Sequence, residues 1–154
     1  MSIIETTYLE RCISTLEKSH SLLQEANPDE IDYDMYRSAS VKEFEIILEQ
    51  CGKLLRKCLK PYYHSSQAVD KLYFKEVFKQ SVLRSIITPD LCERFLIYRD
   101  NRNNTAHDYG VNFAEETLVL LPNFITDASL IVEAINFQND AAKDSRPTML
   151  NCAF

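Results

Sequence analysis

Only 2 glycines occur in the 154 residues, and prolines number 5. Tight turns and left-handed backbone positions depend on glycine, so a chain this poor in it cannot easily build a many-stranded sheet. It can build a few long helices joined by short connections. Hydrophobic residues make up 45% of the chain, enough for a real core in one domain of ordinary size.

Helical rhythm runs through the chain. Ile4, Leu9, Cys12, Ile13 and Leu16, continued by Leu22 and Leu23, predict a first helix over about Ser2 to Glu25, with Ser2 as N-cap. Pro28 ends it. The longest helix is expected from Ile31 to Leu59, stopped by Lys60-Pro61. Its apolar stripe comprises Tyr36, Phe44, Ile47, Leu48, Cys51, Leu54, Leu55 and Cys58, and its last turns carry Lys53, Arg56 and Lys57, which suit the helix dipole. "YYHSSQAVD" reads as a polar connection, followed by a helix from Lys71 to Arg84. Thr88, Pro89 and Asp90 read as N-cap, first helical residue and first-turn acid of the next helix. Gly110 is the expected left-handed stop of that helix. Asn112 and Glu115 have the spacing of a cap and its reciprocal partner, so a last helix is expected from about Phe113, kinked or split at Pro122. The fold class is therefore all-α, an up-and-down bundle of about five helices over residues 1–139, with a polar tail over 140–154.

The five cysteines are odd in number and show no CxxC spacing; they are expected to be reduced, structural and not metal ligands. The N-terminus has no basic start followed by an apolar block, and no stretch approaches the roughly 20 apolar residues of a membrane span. A cytoplasmic protein without membrane association is expected. The net charge of -6 argues against broad coating of nucleic acid, and DNA is not an expected partner. There is no Gly-rich phosphate loop, no clustered metal ligand set and no Ser-His-Asp arrangement; no cofactor is expected.

One stretch stands apart. "RNNTAHDYG", Arg102 to Gly110, holds one of only 3 histidines. On a regular helix the five-residue spacing from Arg102 to His107 rotates the two side chains apart by about 140°. A loosened last turn would bring them together. Arg99 lies one turn before Arg102 on the same face. It would either extend a positive patch or pair with an acid. His64, beside Tyr62 and Tyr63, and His20 read as surface residues.

The order Arg102, four residues, His107, one residue, Tyr109 follows "LCERFLIYRDN" and precedes a helix. Together with "KEFEIILEQCGKLLRKCL" upstream, this pattern resembles the HEPN family of small helical proteins over roughly Val41 to Ile135. The likeness is to the toxin branch paired with a minimal nucleotidyltransferase, also described as nucleotidyltransferase substrate-binding proteins. The resemblance implies a metal-independent endoribonuclease acting on RNA, with Arg102, Asn103 and His107 as its catalytic set. It also implies a homodimer, a cognate minimal nucleotidyltransferase as antitoxin, and Tyr109 as the residue modified when the toxin is silenced. Arg99 is then a possible substrate contact. The alternative reading is a non-catalytic subunit that binds substrate or nucleotide for the nucleotidyltransferase.

The residue types suit the chemistry. Histidine titrates near pH 6.5 and exchanges protons at neutrality. Arginine presents a planar fork of donors to phosphate and stays charged.

Overall fold

The computed structural model describes residues 3–105 and 111–144, and all regular structure among them is helical. The elements are α1 (Thr7–Glu25), α2 (Ile31–Leu59), a 3-10 turn (Lys60–Tyr62), α3 (Ser66–Asp70), α4 (Phe74–Leu83), α5 (Pro89–Thr105) and α6 (Val111–Asp144). α2 is the central post: α1, α4, α5 and α6 all pack on it.

The α2 stripe is buried as its spacing demands, with Phe44, Ile47, Cys51, Leu55 and Leu59 fully enclosed; only Tyr36 stays half-exposed. Leu9, Cys12, Ile13 and Leu16 of α1 close one side of it, and Leu121, Phe124, Ile131 and Ile135 of α6 another. Phe44, Phe78, Phe95, Tyr98 and Phe124 form an aromatic centre, with Phe78 stacked on Phe95 at 5.0 Å and Phe44 meeting Phe124 at 4.6 Å.

Several boundaries differ from expectation. α1 begins at Thr7, where the Thr6 hydroxyl donates to Glu10 at 3.0 Å, and not near Ser2, which lies outside the described residues. The connection after Tyr63 contains α3, started by the Ser65 hydroxyl accepting from the Ala68 N–H at 3.1 Å. α4 consequently starts at Phe74 and not at Lys71. α6 starts at Val111, so Asn112 is inside the helix; Glu115 turns to α2, accepting from the Tyr33 hydroxyl at 3.3 Å. Pro122 does not split α6, which continues past Asn139 to Asp144. Pro122 is exposed. Proline cannot donate to the Leu118 carbonyl one turn back, and core contacts from Leu121 and Phe124 carry the helix through.

Within α6, Ala114–Lys143 is long and apolar enough to cross a membrane by length and composition, against the expectation that no stretch approaches a membrane span. Here its buried side chains line the bundle core against α1 and α2. With so little glycine, the α4–α5 connection takes its left-handed position at Ser85, φ 60°, at a cost of about 1 kcal/mol. Gly52 has a packing role: a Cβ there would stand 3.0 Å from the Phe74 ring of α4.

Cys12, Cys51, Cys58 and Cys92 are buried free thiols, in line with the structural reading; Cys152 lies outside the described residues. Burial pushes the Cys58 thiol from its usual 9.0 up to about 12, and pushes the enclosed Cys51 thiol higher still. Both are neutral in the fold, while the unfolded chain ionises them near pH 9. Above that pH the unfolded state binds fewer protons, so stability falls as pH rises from about 9 towards 12. Urea titrations at pH 8 and pH 10.5 are expected to show a loss of stability that shrinks in the Cys51→Ala/Cys58→Ala double variant. An equal loss in both proteins would assign the alkaline weakness to other groups.

Candidate functional site

α5 carries the arginine of the singled-out motif, and its N-terminus is built as the sequence proposes. Thr88 caps it, its hydroxyl accepting from the Leu91 N–H at 3.2 Å, and Pro89 opens the helix. Leu91, Cys92, Phe95 and Tyr98 face the core.

The second half of α5 is held from two sides. Towards α6, the Tyr98 hydroxyl donates to Asp127 at 2.5 Å, and Arg94 donates to the same carboxylate through Nε at 2.9 Å and Nη2 at 3.1 Å. Asp127 is 4% exposed and Tyr98 3%. Burial, then the bond to Asp127, pushes the Tyr98 phenol above its ordinary range, so it stays a donor at every working pH. One turn on, the Asn101 amide donates to the Thr117 hydroxyl at 3.2 Å. Towards α4, the Arg99 guanidinium lies 4.9 Å from the centre of the Phe74 ring, and Asp100 pairs with Lys75 at 3.4 Å. Residues 98 and 101 are thus tied to α6, and residues 99 and 100 between them to α4. Arg102 follows at once, half-buried in the last turn of α5, with Asn103 exposed beside it.

Among the described residues Arg99 forms no ion pair with an acid; it rests on an aromatic face. Arg99, Arg102 and Asn103 therefore sit on one anchored helical segment. α5 ends at Thr105. His107, Tyr109 and the expected stop at Gly110 lie outside the described residues. Beside His64, Tyr62 is exposed with Arg84 over its ring at 4.7 Å, and Tyr63 packs partly against the core. His64 is exposed and His20 half-exposed.

The network of Arg94, Tyr98 and Asp127 escaped sequence reasoning. One visible sign is the four-residue spacing of Arg94 and Tyr98, which places both on one face. Asp127 interrupts the apolar run "NFITDASLIV", where an acid needs a partner.

Known proteins resemble this chain in sequence and fold. The family model for nucleotidyltransferase substrate binding protein like proteins matches residues 6–136. A Haemophilus influenzae protein named probable ribonuclease HepT is 23% identical over 106 residues, 69% of this chain and 71% of its own length. A solved structure, also from Haemophilus influenzae, superposes with a TM-score of 0.71 over 86% of this chain and 99% of its own, at 18% identity. That structure is described as revealing the fold of a substrate binding domain of a nucleotidyltransferase. At such identity the last likeness is one of fold.

Proposed function

Because this chain belongs to the nucleotidyltransferase substrate binding protein like family, we propose that it is the toxin half of a HEPN and minimal nucleotidyltransferase pair. In this reading it is a metal-independent endoribonuclease of the cytoplasm, silenced by nucleotidylation of Tyr109. The observation that carries the reading is Arg102, held half-buried at the end of a helix anchored on both flanks, opening the sequence that continues through Asn103 and His107 to Tyr109. The similarity to a probable ribonuclease supports it.

The chemistry follows from the groups. His107 accepts the proton of a ribose 2′-hydroxyl; the oxygen attacks the adjacent phosphorus in line, and the bond to the 5′-oxygen breaks. The departing oxygen takes a proton, from His107 or water, and a 2′,3′-cyclic phosphate remains. Arg102 sets its planar donors against the phosphate as charge grows there. Asn103, exposed next to it, orients the phosphate or the imidazole. Arg99, fixed over Phe74, extends the positive field by one turn.

A homodimer completes this thin apparatus by bringing two copies of the motif to one cleft. Ile97 of α5 and Val119 of α6, 57% and 79% exposed, offer apolar surface on the two helices that flank the motif. Sedimentation showing only monomer at micromolar concentration would count against the dimer.

Silencing follows from charge. The Tyr109 phenol attacks the α-phosphorus of a nucleoside triphosphate, pyrophosphate leaves, and the attached phosphate repels RNA. The test is incubation with the cognate nucleotidyltransferase, ATP and magnesium, followed by peptide mass mapping. The added mass is expected on Tyr109 and absent from Tyr109→Phe. Mass on another residue, or equal labelling of the phenylalanine variant, would contradict control through this tyrosine.

A second reading, a non-catalytic subunit that binds substrate or nucleotide for the nucleotidyltransferase, is favoured by the family description and by the net charge of -6. The two part on whether purified protein cuts RNA.

A further inference from the structure

The end of the bundle opposite Arg102 carries two adjoining cavities. Asn101 pairs with Thr117 near the start of α6, while Asn139 lies near its far end. The 22 helical steps from Thr117 to Asn139 span roughly 33 Å. At the far end the N-terminal segment is fastened to α6: the Ile4 N–H donates to the Asn139 side chain at 2.9 Å, and the Asn139 amide donates back to the Ile4 carbonyl at 2.9 Å. This pairing walls a cavity of about 640 Å³ of mixed lining, with Ile3, Ile4, Cys58, Pro61 and Tyr62 beside the polar Glu5, Gln138 and Asn139. A second cavity, of about 570 Å³, lies along the last turns of α2 and is lined by Lys53, Arg56, Lys57 and Lys60 together with Glu49 and Asp70. Lys57 and Lys60 line both.

The basic groove is unusual for a chain of net charge -6. Its four cations occur at positions i, i+3, i+4 and i+7, one face of the helix. Among the described residues none of them is within ion-pairing distance of a carboxylate, although Glu49 and Asp70 share the groove. Arg56 is held in place, Nη2 donating to the Leu72 carbonyl at 2.7 Å, while its buried Nε has no acceptor. The α2 dipole accounts for cations in the last turn, Arg56 and Lys57. It does not account for Lys53, a turn earlier, or for the shared edge with the other cavity, which apolar side chains and an aromatic ring help to line.

We propose that these adjoining cavities form a nucleoside triphosphate site, with the phosphates along Lys53, Arg56, Lys57 and Lys60 and the base and ribose in the cavity lined by Ile4 and Tyr62. The combination selects the ligand class: an anionic chain at one end, and at the other a flat ring with apolar faces and polar edges, joined to a polar sugar. Each cavity is in the size range of small-molecule sites, about 300–1,000 Å³. Lys53, Lys57 and Lys60 are exposed. Neutral replacements there remove charge without opening the core.

Isothermal titration with ATP and magnesium tests this. Wild-type protein is expected to bind ATP more tightly than either adenosine or tripolyphosphate, and less tightly as salt is raised. Lys53→Gln/Lys57→Gln is expected to weaken ATP binding at least tenfold with an unchanged circular dichroism melting curve, and Lys60→Gln alone to weaken it by less. Arg102→Ala, at the other end of the bundle, is expected to bind ATP as wild type does. Absence of ATP binding at millimolar concentration overturns the proposal, as does equal binding by the lysine variants. Loss of binding in Arg102→Ala would move the nucleotide to the motif end and also overturn it. Tripolyphosphate binding as tightly as ATP would leave the cavity lined by Ile4 and Tyr62 without a role, and Lys57-dependent binding of a short single-stranded RNA without ATP binding would make the groove a backbone track; either result contradicts the site proposed.

Discussion

Arg102→Ala and His107→Ala are each expected to lower RNA cleavage by at least ~10²-fold, the scale of losing a positioned proton carrier or a fixed transition-state charge. The fold should survive both. Arg102 sits half-buried in the last turn of α5, where truncation opens no enclosed cavity. Growth arrest on expressing the chain alone should disappear in parallel. The effect should fall on the rate at saturating RNA more than on RNA binding, because both groups act on charge and protons that move during the reaction. Equal cleavage by a well-folded, highly purified His107→Ala protein would remove His107 from the mechanism.

Asp127→Ala is expected to have the largest effect on stability, about 3 kcal/mol in urea unfolding with an unchanged slope. The carboxylate accepts three donors from α5, and its removal leaves the Tyr98 hydroxyl enclosed at 3% exposure without its acceptor. Arg94, 42% exposed along its side chain, regains water, which keeps the cost at the low end for a broken buried pair. Asp127→Asn retains an acceptor for Tyr98 and should lose less. A loss below about 1 kcal/mol for the alanine variant would show that the network is not what joins α5 to α6. Since the same clamp precedes Arg102 by one turn, destabilised variants that still fold should also cleave RNA more slowly.

What was legible in the sequence was whatever had local cause. α2 runs from Ile31 to Leu59, as read from Lys60-Pro61 and an unbroken apolar stripe, and Thr88-Pro89 opens α5 through a cap that is itself local. Where the cause was distant, reading failed. Glu115 looked like the partner of an Asn112 cap, but its hydrogen bond comes from Tyr33 on α2, 82 residues away. α3 is 5 residues long, too short for a periodic signal to emerge. Pro122 was expected to kink or split α6, yet tertiary packing of Leu121 and Phe124 keeps the helix in one piece. At the candidate site, the order of Arg102, Asn103, His107 and Tyr109 was legible because it is contiguous. The anchoring by Asp127, Thr117 and Phe74 was not, because each comes from another helix. Lys53, Arg56 and Lys57 of α2 read as dipole complements; that Lys57 and the following Lys60 edge two cavities at once depends on the packing of other segments.

The central claim is tested most directly by incubating the purified chain with a defined single-stranded RNA in excess EDTA. The mechanism predicts cleavage at an undiminished rate, fragments ending in 2′,3′-cyclic phosphate, and no cutting where the ribose at the cleavage site is replaced by 2′-deoxyribose. Intact RNA in both the presence and the absence of the chelator, or cleavage that EDTA abolishes, would contradict it.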